Sequence, residues 1–472
     1  MINKEISKRP KCKPHTDKDE KFFLVPKNIA KPDSGLKVDV SLLAIYIKQR
    51  YDIRYYKNQF RVFKNYYYSY VENMKTLIYK DIPEMYRLPN NIRDCVDLLT
   101  MDQDLILMER DLAPEKYILF KNGVLDVETM QFSTHEEIGE KLIFINQVGY
   151  EYDPNVATCK YADNFFSKVT NGKQEDINFL YQVLGVLISG YRDFKNIFYF
   201  TGKKDSGKST FLKITELLLT NPDGTNDFSS IGLRTLVNET SKEFTRIIGK
   251  RANICGENPE IKISNDTLLK QLSGGDTITA RVKFKDPVEF VNRAMLIFSG
   301  NEVPSFFTSD KSAIGERMLI YVFKNVIPVR SQIKKFEKKI NMSYVLNKAI
   351  EQLRIFLNNN QEFTVPQEIL NNREKLLIDS DTVYRFYKEY VIVTNDPKDR
   401  VSNHVLYDAY INYLVEEGHV IKYNGRLDIN KIKITQYVFT VQIKKHHGEE
   451  RYKRKLAYRG AKADCFICMI LK

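Results

Sequence analysis

The alternation of apolar and polar positions predicts a chain built from both helices and strands. The apolar run Ile197–Phe200 is typical of a buried parallel strand. From Lys208 onward, apolar residues recur at helical spacing, which predicts a helix soon after that strand. Residues 158–195 have the pattern of amphipathic helices, and Asn122-Gly123 separates two β-prone runs in the manner of a hairpin turn. The pattern therefore indicates an α/β fold class.

The loop between that strand and helix is rich in glycine and lysine. In GKKDSGKST, Gly202 and Gly207 are separated by four residues, and Lys208-Ser209 follow at once. Glycines let the main chain approach an oxyanion, and a helix N-terminus attracts negative charge. Lys208 can reach terminal phosphates and Ser209 can ligate Mg²⁺. The other interpretation is a lysine-rich turn before a core helix. The predicted nucleoside triphosphate site comprises Gly202, Lys203, Lys204, Asp205, Ser206, Gly207, Lys208, Ser209 and Thr210.

Three polar residues downstream are candidates for the chemistry of phosphoryl transfer. Glu257, in KRANICGENPE, follows a short apolar stretch, and an acid at the end of such a strand can polarise water or hold Mg²⁺. Asn301 ends the apolar segment MLIFSGN and can sense a terminal phosphate. Arg317, in SAIGERMLIYVF, can neutralise charge on a neighbouring subunit's nucleotide.

A candidate nucleic-acid contact lies between these motifs. Gly274-Gly275-Asp276 leads into TITARVKFK, in which Arg281, Lys283 and Lys285 share one face of a β-prone segment. Cations at the tip of a hairpin can bind a phosphate backbone without reading its sequence. An edge strand kept soluble by its lysines is the alternative.

The order of these motifs resembles a superfamily 3 helicase. GKKDSGKST, ICGENPE, LLKQLSGGDTITARVKFK, MLIFSGNEVP and ERMLIYVF occur in this order, and the chain is most similar to the poxvirus-type and phage/plasmid primase-helicase group. LFKNGVLDVETMQ and VGYEYDPNVATCKYADNFF resemble the lead-in domain of that group, and DSDTVYRFYKEY and VLYDAYINYLVEEGH resemble its winged-helix region. The resemblance covers about Tyr117 to Gly418 and extends to the replication initiators of phage-related chromosomal islands.

The resemblance implies an AAA+ motor with ATP and Mg²⁺ as its cofactors. In that family, Lys208 and Ser209 would bind phosphate and Mg²⁺, and Glu257 would be the Walker B acid that serves as base or metal partner. Asn301 would be the first sensor, and Arg317 would be the finger supplied across a subunit boundary. Arg281, Lys283 and Lys285 would correspond to the DNA-contacting hairpin within a ring.

One departure from the family pattern concerns the acids. Many members have two adjacent acids in the Walker B strand, whereas here Gly256 precedes Glu257 and Asn258 follows it. Glu260, beyond Pro259, is a weaker substitute. The second group that supports Mg²⁺ is therefore left open.

The pattern and the resemblance together predict a multidomain α/β chain with a central AAA+ P-loop ATPase core. Six segments are expected: a flexible basic arm (1–35), an α-rich N-terminal domain (36–115), a lead-in or collar domain (116–195), the AAA+ superfamily 3 core (196–330), a helical connector (331–375) and a winged-helix DNA-binding domain (376–472).

The C-terminal segment QIKKHHGEERYKRKLAYRG is strongly basic. Its candidate DNA-binding residues are Lys444, Lys445, Arg451, Lys453 and Arg454. Two helices and a charged hairpin would form a winged helix, with a recognition helix within 431–445. Gln436 and Gln442 are candidate base readers, and His446 and His447 are expected in the wing. The alternative is a solvated basic tail.

Composition narrows the setting. A net charge of +13 and a pI of about 9.1 over 472 residues favour a polyanionic partner. The six cysteines are scattered, no apolar segment reaches membrane-spanning length, and the N-terminus lacks a signal core. A reducing bacterial host cytoplasm is expected. The aromatic run at Tyr66–Tyr68 and Tyr70 is interpreted as filling half-buried strand and helix faces rather than as a base-stacking platform.

The leading hypothesis is an ATP-dependent replicative DNA helicase or replication initiator of a phage, plasmid or chromosomal island. It would bind origin double-stranded DNA and single-stranded DNA as a homo-oligomeric ring, expected from the family to be a hexamer, and it would meet phage or host replication factors. Two alternatives stay open. One is an ATP-switched DNA-binding initiator or regulator that does not unwind. The other is a bifunctional primase-helicase, for which about 115 residues before the lead-in domain are too few.

Overall fold

A computed structural model describes most of the chain. The described residues are 22–28, 31–138, 142–237, 243–258, 262–263, 266–280, 287–306, 311–328, 336–380, 382–417, 422–423, 426–427 and 434–472. They fall into two compact units. The first lies within Met1–Asn258, Gln271–Asn301 and Val322–Pro366, and the second within Pro259–Lys270, Glu302–Tyr321 and Gln367–Lys472.

The N-terminal region mixes helices with antiparallel strands. Its elements are β1 (Leu24–Asn28), β2 (Lys31–Val38), α1 (Val40–Tyr51), β3 (Ile53–Tyr56), β4 (Gln59–Lys64), β5 (Tyr67–Tyr70), α2 (Met74–Asp81) and α3 (Pro89–Met101). Strands β1 and β2 pair where the sequence predicts a flexible arm. Phe23, just before β1, anchors this pair. Its ring is buried, and the ring centroid lies 5.1 Å from that of Tyr46.

A three-stranded sheet, β3-β4-β5, lies in a stretch that the sequence assigns to helix. Its turns explain the difference, because Lys57, Asn58, Asn65 and Tyr66 all have positive φ angles. Two successive residues with positive φ are what a tight type I′ hairpin requires, and neither pair has the Asn-Gly sequence that usually reveals one. Tyr67 and Tyr68 lie on strand β5, as a strand-face interpretation expects, but they are fully rather than half-buried.

The lead-in region contains β6 (Tyr117–Phe120), β7 (Gly123–Asp126), β8 (Gln131–Thr134), α4 (His135–Ile138), α5 (Lys160–Thr170) and α6 (Gln174–Ile188). The predicted hairpin is confirmed, although its turn is shifted by one residue because Phe120 pairs with Gly123. Asn122 donates its amide to the carbonyl of Tyr152 and accepts from the Tyr152 amide, both at 2.9 Å. The helices predicted in 158–195 are also confirmed.

A parallel sheet forms the centre of the chain. The elements of this region are β9 (Ile197–Gly202), α7 (Lys208–Leu218), β10 (Phe228–Ser229), α8 (Leu233–Leu236), β11 (Ala252–Asn258), β12 (Lys262–Ile263), α9 (Thr267–Gly274), β13 (Thr277–Ala280), β14 (Val288–Val291), β15 (Met295–Gly300), β16 (Ser305–Phe306), α10 (Lys311–Arg317), β17 (Met318–Phe323), α11 (Phe336–Lys339) and α12 (Met342–Asn358). The sheet has the order β10-β11-β15-β9-β17, and its neighbouring pairs from β10 to β9 are parallel.

The register of this sheet positions the candidate site. Thr201 of β9 lies opposite Gly300 of β15, and Gly300 lies opposite Asn258 of β11. The carboxyl ends of three adjacent strands therefore meet at one edge. The predicted strand at Ile197–Phe200 and the helix from Lys208 are confirmed, as is the α/β class in its general form.

The C-terminal part contains α13 (Gln367–Ser380), α14 (Thr382–Tyr390), β18 (Val391–Val393), β19 (Arg400–Ser402), α15 (Asn403–Glu416), β20 (Lys422–Tyr423), β21 (Arg426–Leu427), α16 (Gln436–His447), β22 (Tyr452–Tyr458), β23 (Ala461–Ile467) and β24 (Met469–Leu471). Strand β23 lies between β19 and β22 in an antiparallel sheet. The buried rings of Phe386, Tyr410, Phe439 and Phe466 share one core. Among the described helices, none combines the length and the apolar character needed to cross a membrane.

The end of α16 corrects one sequence prediction. His446 and His447 belong to the last turn of this helix, not to a wing. The helix stops at Gly448, whose φ of 102° favours glycine, and the Gly448 amide donates to the carbonyl of Lys444 at 2.9 Å.

His447 joins three elements of this core. Its Nδ1 lies 3.1 Å from the hydroxyl of Tyr387 on α14, and its Nε2 lies 2.8 Å from the carbonyl oxygen of Ile467 on β23. A carbonyl only accepts, so Nε2 carries the proton and Nδ1 accepts from Tyr387. Burial lowers the pKa of His447, and the bond to Ile467 opposes that shift only in part.

We expect acid to destabilise the second unit through His447. Since the pKa of this imidazole is lower in the folded than in the unfolded chain, its contribution is complete above the unfolded value of about 6.5 and is lost as pH falls below it. Thermal unfolding of wild type and His447→Gln across this pH range measures the effect, and the exposed His404→Gln is the control. Identical pH slopes for wild type and His447→Gln would contradict the assignment.

Candidate nucleotide site and basic surface

The loop between β9 and α7 has the backbone geometry of an anion cradle. Gly202 and Gly207 have φ angles of 144° and 94°, which favour glycine. Space also requires glycine, since a Cβ at Gly202 would lie 2.4 Å from the Phe323 carbonyl oxygen, and one at Gly207 would lie 2.5 Å from Val169 Cγ1. The amide of Ile327 donates to the carbonyl of Asp205 at 2.8 Å. Contacts with residues outside the loop therefore hold its conformation.

The polar groups of the loop suit a phosphate group. The Lys208 ammonium donates to the carbonyl oxygens of Gly202 and, at 3.2 Å, Lys203, and burial lowers its pKa. Ser206 is only 1% exposed, and its Oγ has no hydrogen-bond partner among the described residues. A buried hydroxyl without a partner is costly, and a phosphate oxygen is an acceptor that removes the cost. Ser209 is exposed at the start of α7 and can reach a metal ion. This arrangement fits a nucleotide with Mg²⁺.

The remaining loop residues are accessible. Lys203, Lys204 and Asp205 are exposed, and Thr210 is half-buried in the first turn of α7. Their side chains are thus open to a ligand from solvent.

Two predicted catalytic residues lie at the same sheet edge as the loop. Glu257 is exposed near the end of β11, and Asn301 is exposed directly after β15. Thr201, at the end of β9, donates its hydroxyl to the Asn301 carbonyl at 3.0 Å. Lys208, Glu257 and Asn301 therefore all follow or end strands at the carboxyl edge of the sheet. Their roles stay predictions.

A β-bulge sets the position of Glu257. The register of β11 against β15 shifts between Cys255 and Asn258, so the strand carries one extra residue there. Asn258 holds this bulge: its amide donates to the carbonyls of Cys255 at 3.1 Å and Ser299 at 3.0 Å, and its oxygen accepts from the Leu233 amide at 2.8 Å. Sequence reasoning missed this role, because nothing in the motif distinguishes a buried amide from an exposed one.

The glycine before Glu257 is not required by space. A Cβ at Gly256 would lie 3.5 Å from Leu212 Cδ1, an ordinary contact. The departure from the paired acids of the helicase family therefore has no steric cause in this chain. Glu260 lies outside the described residues.

Arg317 belongs to the second unit, where it is the last residue of α10. Its Nη1 donates to the carbonyl of Lys270 at 2.6 Å. This bond contributes to the position of the guanidinium, and the role of a finger stays a prediction.

The predicted DNA hairpin is described only at its base. Strands β13 and β14 are antiparallel and pair Ala280 with Val288. Arg281, Lys283 and Lys285 lie outside the described residues. Their contact with DNA therefore stays a prediction.

The basic C-terminal residues lie on two neighbouring elements. Lys444 and Lys445 are in the last turn of α16, and the Lys444 ammonium lies 3.9 Å from the centre of the Tyr452 ring. Arg451 follows in a short turn, where its Nε is 4.0 Å from Glu450 Oε1.

A bulge in β22 displays three consecutive cations. Its register against β23 shifts between Lys453 and Leu456, and Lys455 has a φ of 54°. The Lys455 amide donates to Asp464 Oδ1 at 3.1 Å, which stabilises the bulge. Lys453, Arg454 and Lys455 are all exposed. The strand therefore presents an uncovered basic face.

The outer face of α16 differs from the sequence prediction. Tyr437 is 78% exposed and Val441 50%, and with the exposed Lys445 they recur every four residues along one face. Gln442 instead buries its Oε1, so it is not a freely exposed base reader, whereas Gln436 is half-buried at the helix start. Sequence reasoning missed Tyr437 and Val441 because apolar residues on a helix usually indicate the core.

Comparison with known proteins gives partial matches. Residues 200–317 match a family described as a family of unknown function, DUF5906. A protein of Acanthamoeba polyphaga mimivirus named "Putative helicase L207/L206" is 25% identical over 250 residues, covering 52% of this chain and 25% of that protein. "Putative helicase V13" of Sputnik virophage is 21% identical over 310 residues, covering 60% of this chain and 38% of that protein. The chain thus spans well under half the length of either relative.

Solved structures give only a distant likeness. The apo structure of the NrS-1 C terminal region (305-718) has a TM-score of 0.47 at 12% identity, covering 91% of this chain and 99% of that one. The A form apo structure of the NrS-1 C terminal region-CTR has a TM-score of 0.45 at 11% identity, covering 90% and 98%. At these scores the likeness supports no conclusion.

Gly207→Ala should destabilise the chain. Placing a residue with a Cβ in the left-handed backbone conformation costs about 1–2 kcal/mol, and overpacking against Val169 adds about 1–3 kcal/mol. Gly224→Ala is the matched control, because its φ is +82° but nothing lies within 4 Å of the added Cβ. Thermal unfolding midpoints of the two variants give the comparison. Equal midpoints would show that the contact with Val169 is unimportant.

Proposed function

We propose that this chain is a nucleoside-triphosphate-hydrolysing motor that acts on nucleic acid, and more closely an AAA+ superfamily 3 DNA helicase. The observation that carries the proposal is the loop after β9, whose conformation requires Gly202 and Gly207 and whose buried Ser206 hydroxyl lacks a protein partner. Glu257 and Asn301 share the edge on which that loop lies. The helicase names of two viral relatives point in the same direction.

The residues of this edge divide the work of hydrolysis. The loop amides and Lys208 bind the β- and γ-phosphates of ATP, and the ammonium exchanges loop carbonyls for charged oxygens, to which hydrogen bonds are roughly twice as strong. Glu257 orients and deprotonates the attacking water, and Asn301 positions it against the terminal phosphate. Mg²⁺, held by Ser209 and Glu257, would neutralise charge on the phosphates.

Arg317 completes the site from a neighbouring copy in this proposal. A finger arginine accelerates phosphoryl transfer by on the order of 10³–10⁵. To act in this way, its guanidinium exchanges the Lys270 carbonyl for the neighbour's phosphate oxygens. Hydrolysis then depends on assembly into a ring, which we propose is a hexamer. The cations Arg281, Lys283 and Lys285 would face single-stranded DNA inside it.

The second unit supplies a proposed contact with duplex DNA. The order α14, β18, β19, α15, β20, β21, α16, β22 and β23, in which β19 pairs with the β22–β23 hairpin, supports a winged helix. In this proposal α16 enters the major groove, and Lys453 and Arg454 of the hairpin contact phosphates. Lys444, Lys445 and Arg451 add charge where helix and hairpin meet. Such a domain suits the recognition of an origin.

The biological setting is part of the proposal. An initiator of replication for a virus, phage, plasmid or chromosomal island accounts for a motor joined to a basic duplex-binding unit. The viral sources of both relatives support a mobile-element setting. A bacterial host cytoplasm stays a prediction.

Lys208→Ala should abolish ATP hydrolysis and unwinding, because it removes the cation that binds the terminal phosphates. Lys213→Ala, on the exposed side of the same helix, is the matched control and should hydrolyse ATP normally. Glu257→Gln should retain ATP binding but lose turnover. An ATPase assay measures turnover, and a forked-duplex assay measures strand separation. Hydrolysis by wild type without strand separation would favour the ATP-switched initiator, and normal hydrolysis by Lys208→Ala would refute the site.

Lys453→Glu should weaken duplex binding by removing one phosphate contact and adding repulsion. The slope of log K against log salt should fall by about 1. Lys388→Glu makes the same charge change on the exposed side of α14 and should cause a smaller loss. Fluorescence anisotropy with a labelled duplex at several salt concentrations gives both values. If both variants lose the same affinity for duplex DNA, the effect of Lys453 is one of net charge, and the hairpin makes no specific phosphate contact.

A further inference from the structure

The first unit contains a cavity at the amino-terminal edge of the central sheet, opposite the proposed phosphate-binding loop between β9 and α7, which is called the phosphate loop from here on. Its volume is about 300 Å³. Arg251 immediately precedes β11, Arg293 precedes β15 by two residues, and Arg192 lies ahead of β9. Since these strands are parallel, the arginines share one edge. The six residues of β9 separate that edge from the phosphate loop by about 20 Å.

The cavity has more positive than negative charge. The charged residues that line it are Lys57, Arg110, Arg192, Lys250, Arg251 and Arg293, with the carboxylates of Glu109 and Glu115. Lys57 pairs with Glu109, Arg293 pairs with Glu115, and Arg251 pairs with Asp227 outside the lining at 3.3 Å. Within the described part of the chain, the other three cations have no carboxylate at ion-pair distance. A surplus of positive charge therefore surrounds the cavity.

The fold holds one of these charges in place. Arg192 donates to the main-chain carbonyls of Val186, Leu187 and Tyr191 at 2.9, 3.1 and 2.6 Å, so it closes the carboxyl end of α6. Burial, followed by repulsion from Arg251 and Arg293, lowers the pKa of Arg192 to about 9. A bound anion would relieve this repulsion.

The lining also includes a buried arginine and an apolar wall. Arg251 is 8% exposed, and its Nε has no hydrogen-bond partner among the described residues although its Nη1 donates to the Ile188 carbonyl at 2.9 Å. A buried donor without an acceptor costs about 1–3 kcal/mol. Leu112, Tyr117 and Phe290 form apolar and aromatic lining. An anion that also carries a ring would use both parts.

We propose that this cavity is a second ligand site, separate from the phosphate loop, which binds a mononucleotide with its phosphate near Arg251 and Arg293 and its base against Tyr117 and Phe290. Its volume is at the lower end of the range of about 300–1,000 Å³ for small-molecule sites. Phe290 belongs to β14, which pairs with β13. The ligand would thus contact one strand of the β13–β14 pair.

Equilibrium binding to the full chain tests this site. Calorimetric titration of Lys208→Ala with AMP isolates it from the phosphate loop, and one AMP per chain is expected. Adding Arg293→Gln should weaken this binding roughly tenfold or more, since a charge-assisted hydrogen bond is lost. Arg93→Gln, an exposed arginine outside the cavity, is the matched control and should change nothing. Glu115→Gln should tighten binding because it removes a competing carboxylate, an increase that damaged folding would not produce.

The outcomes separate this site from the phosphate loop. If both sites exist, Lys208→Ala binds one AMP, and wild type binds one ATP in addition to its AMP. If only the phosphate loop exists, Lys208→Ala binds no AMP, and the inference is overturned. If wild type and Lys208→Ala each bind one AMP and wild type binds no additional ATP, the cavity is supported and the loop assignment fails. Equal affinity for AMP and inorganic phosphate, or binding only of a 5′-phosphorylated oligonucleotide, would also overturn the assignment to a mononucleotide.

Discussion

The alignment of β9, β15 and β11 is the constraint on which the candidate nucleotide site depends. Thr201, Gly300 and Asn258 lie opposite one another across these strands, so the loops that follow begin at the same level. A shift of one residue in either pairing would move Glu257 or Asn301 away from the loop. Asn258 reinforces the alignment, because its single amide bonds to both β11 and β15 and to the start of α8. The positions of Glu257 and Asn301 relative to the loop therefore depend on the register of these strands.

The sequence predicted best those features that a local motif determines. The strand and helix on either side of the phosphate loop follow from apolar periodicity and glycine spacing, and the structure has both. The turns of β3–β4 and β4–β5 were not predictable in this way, because their positive φ angles fall on Lys57, Asn58, Asn65 and Tyr66 rather than on glycine. The pairing of the strands on either side of each turn, rather than a glycine within it, holds those conformations. His447 was misplaced for a different reason, because the sequence analysis assigned it to a wing whereas α16 continues to Gly448.

The sequence predicted which residues are candidates for the site but not how they are arranged. Spacing identifies Lys208 and Ser209, yet only the folded chain reveals the bulge beneath Glu257 and the amide that fixes it. The cavity at the other edge of the sheet lacked any sequence signal. Its cations come from segments far apart in the chain, from Lys57 to Arg293. Net charge predicted a polyanionic partner, but it did not reveal where the positive charge collects.

The supports of the phosphate loop bear on which fragment of the chain can be produced alone. Gly207 is packed by Val169 of α5, and Asp205 is bonded to Ile327, so both supports lie outside residues 200–317. A recombinant piece limited to the region shared with that family would leave the loop unbraced on two sides. It would also lose Ile197–Tyr199 from the central strand β9. The region shared with that family is therefore shorter than the region that holds the loop in its conformation. A fragment that keeps both supports must begin before α5 and continue past Ile327.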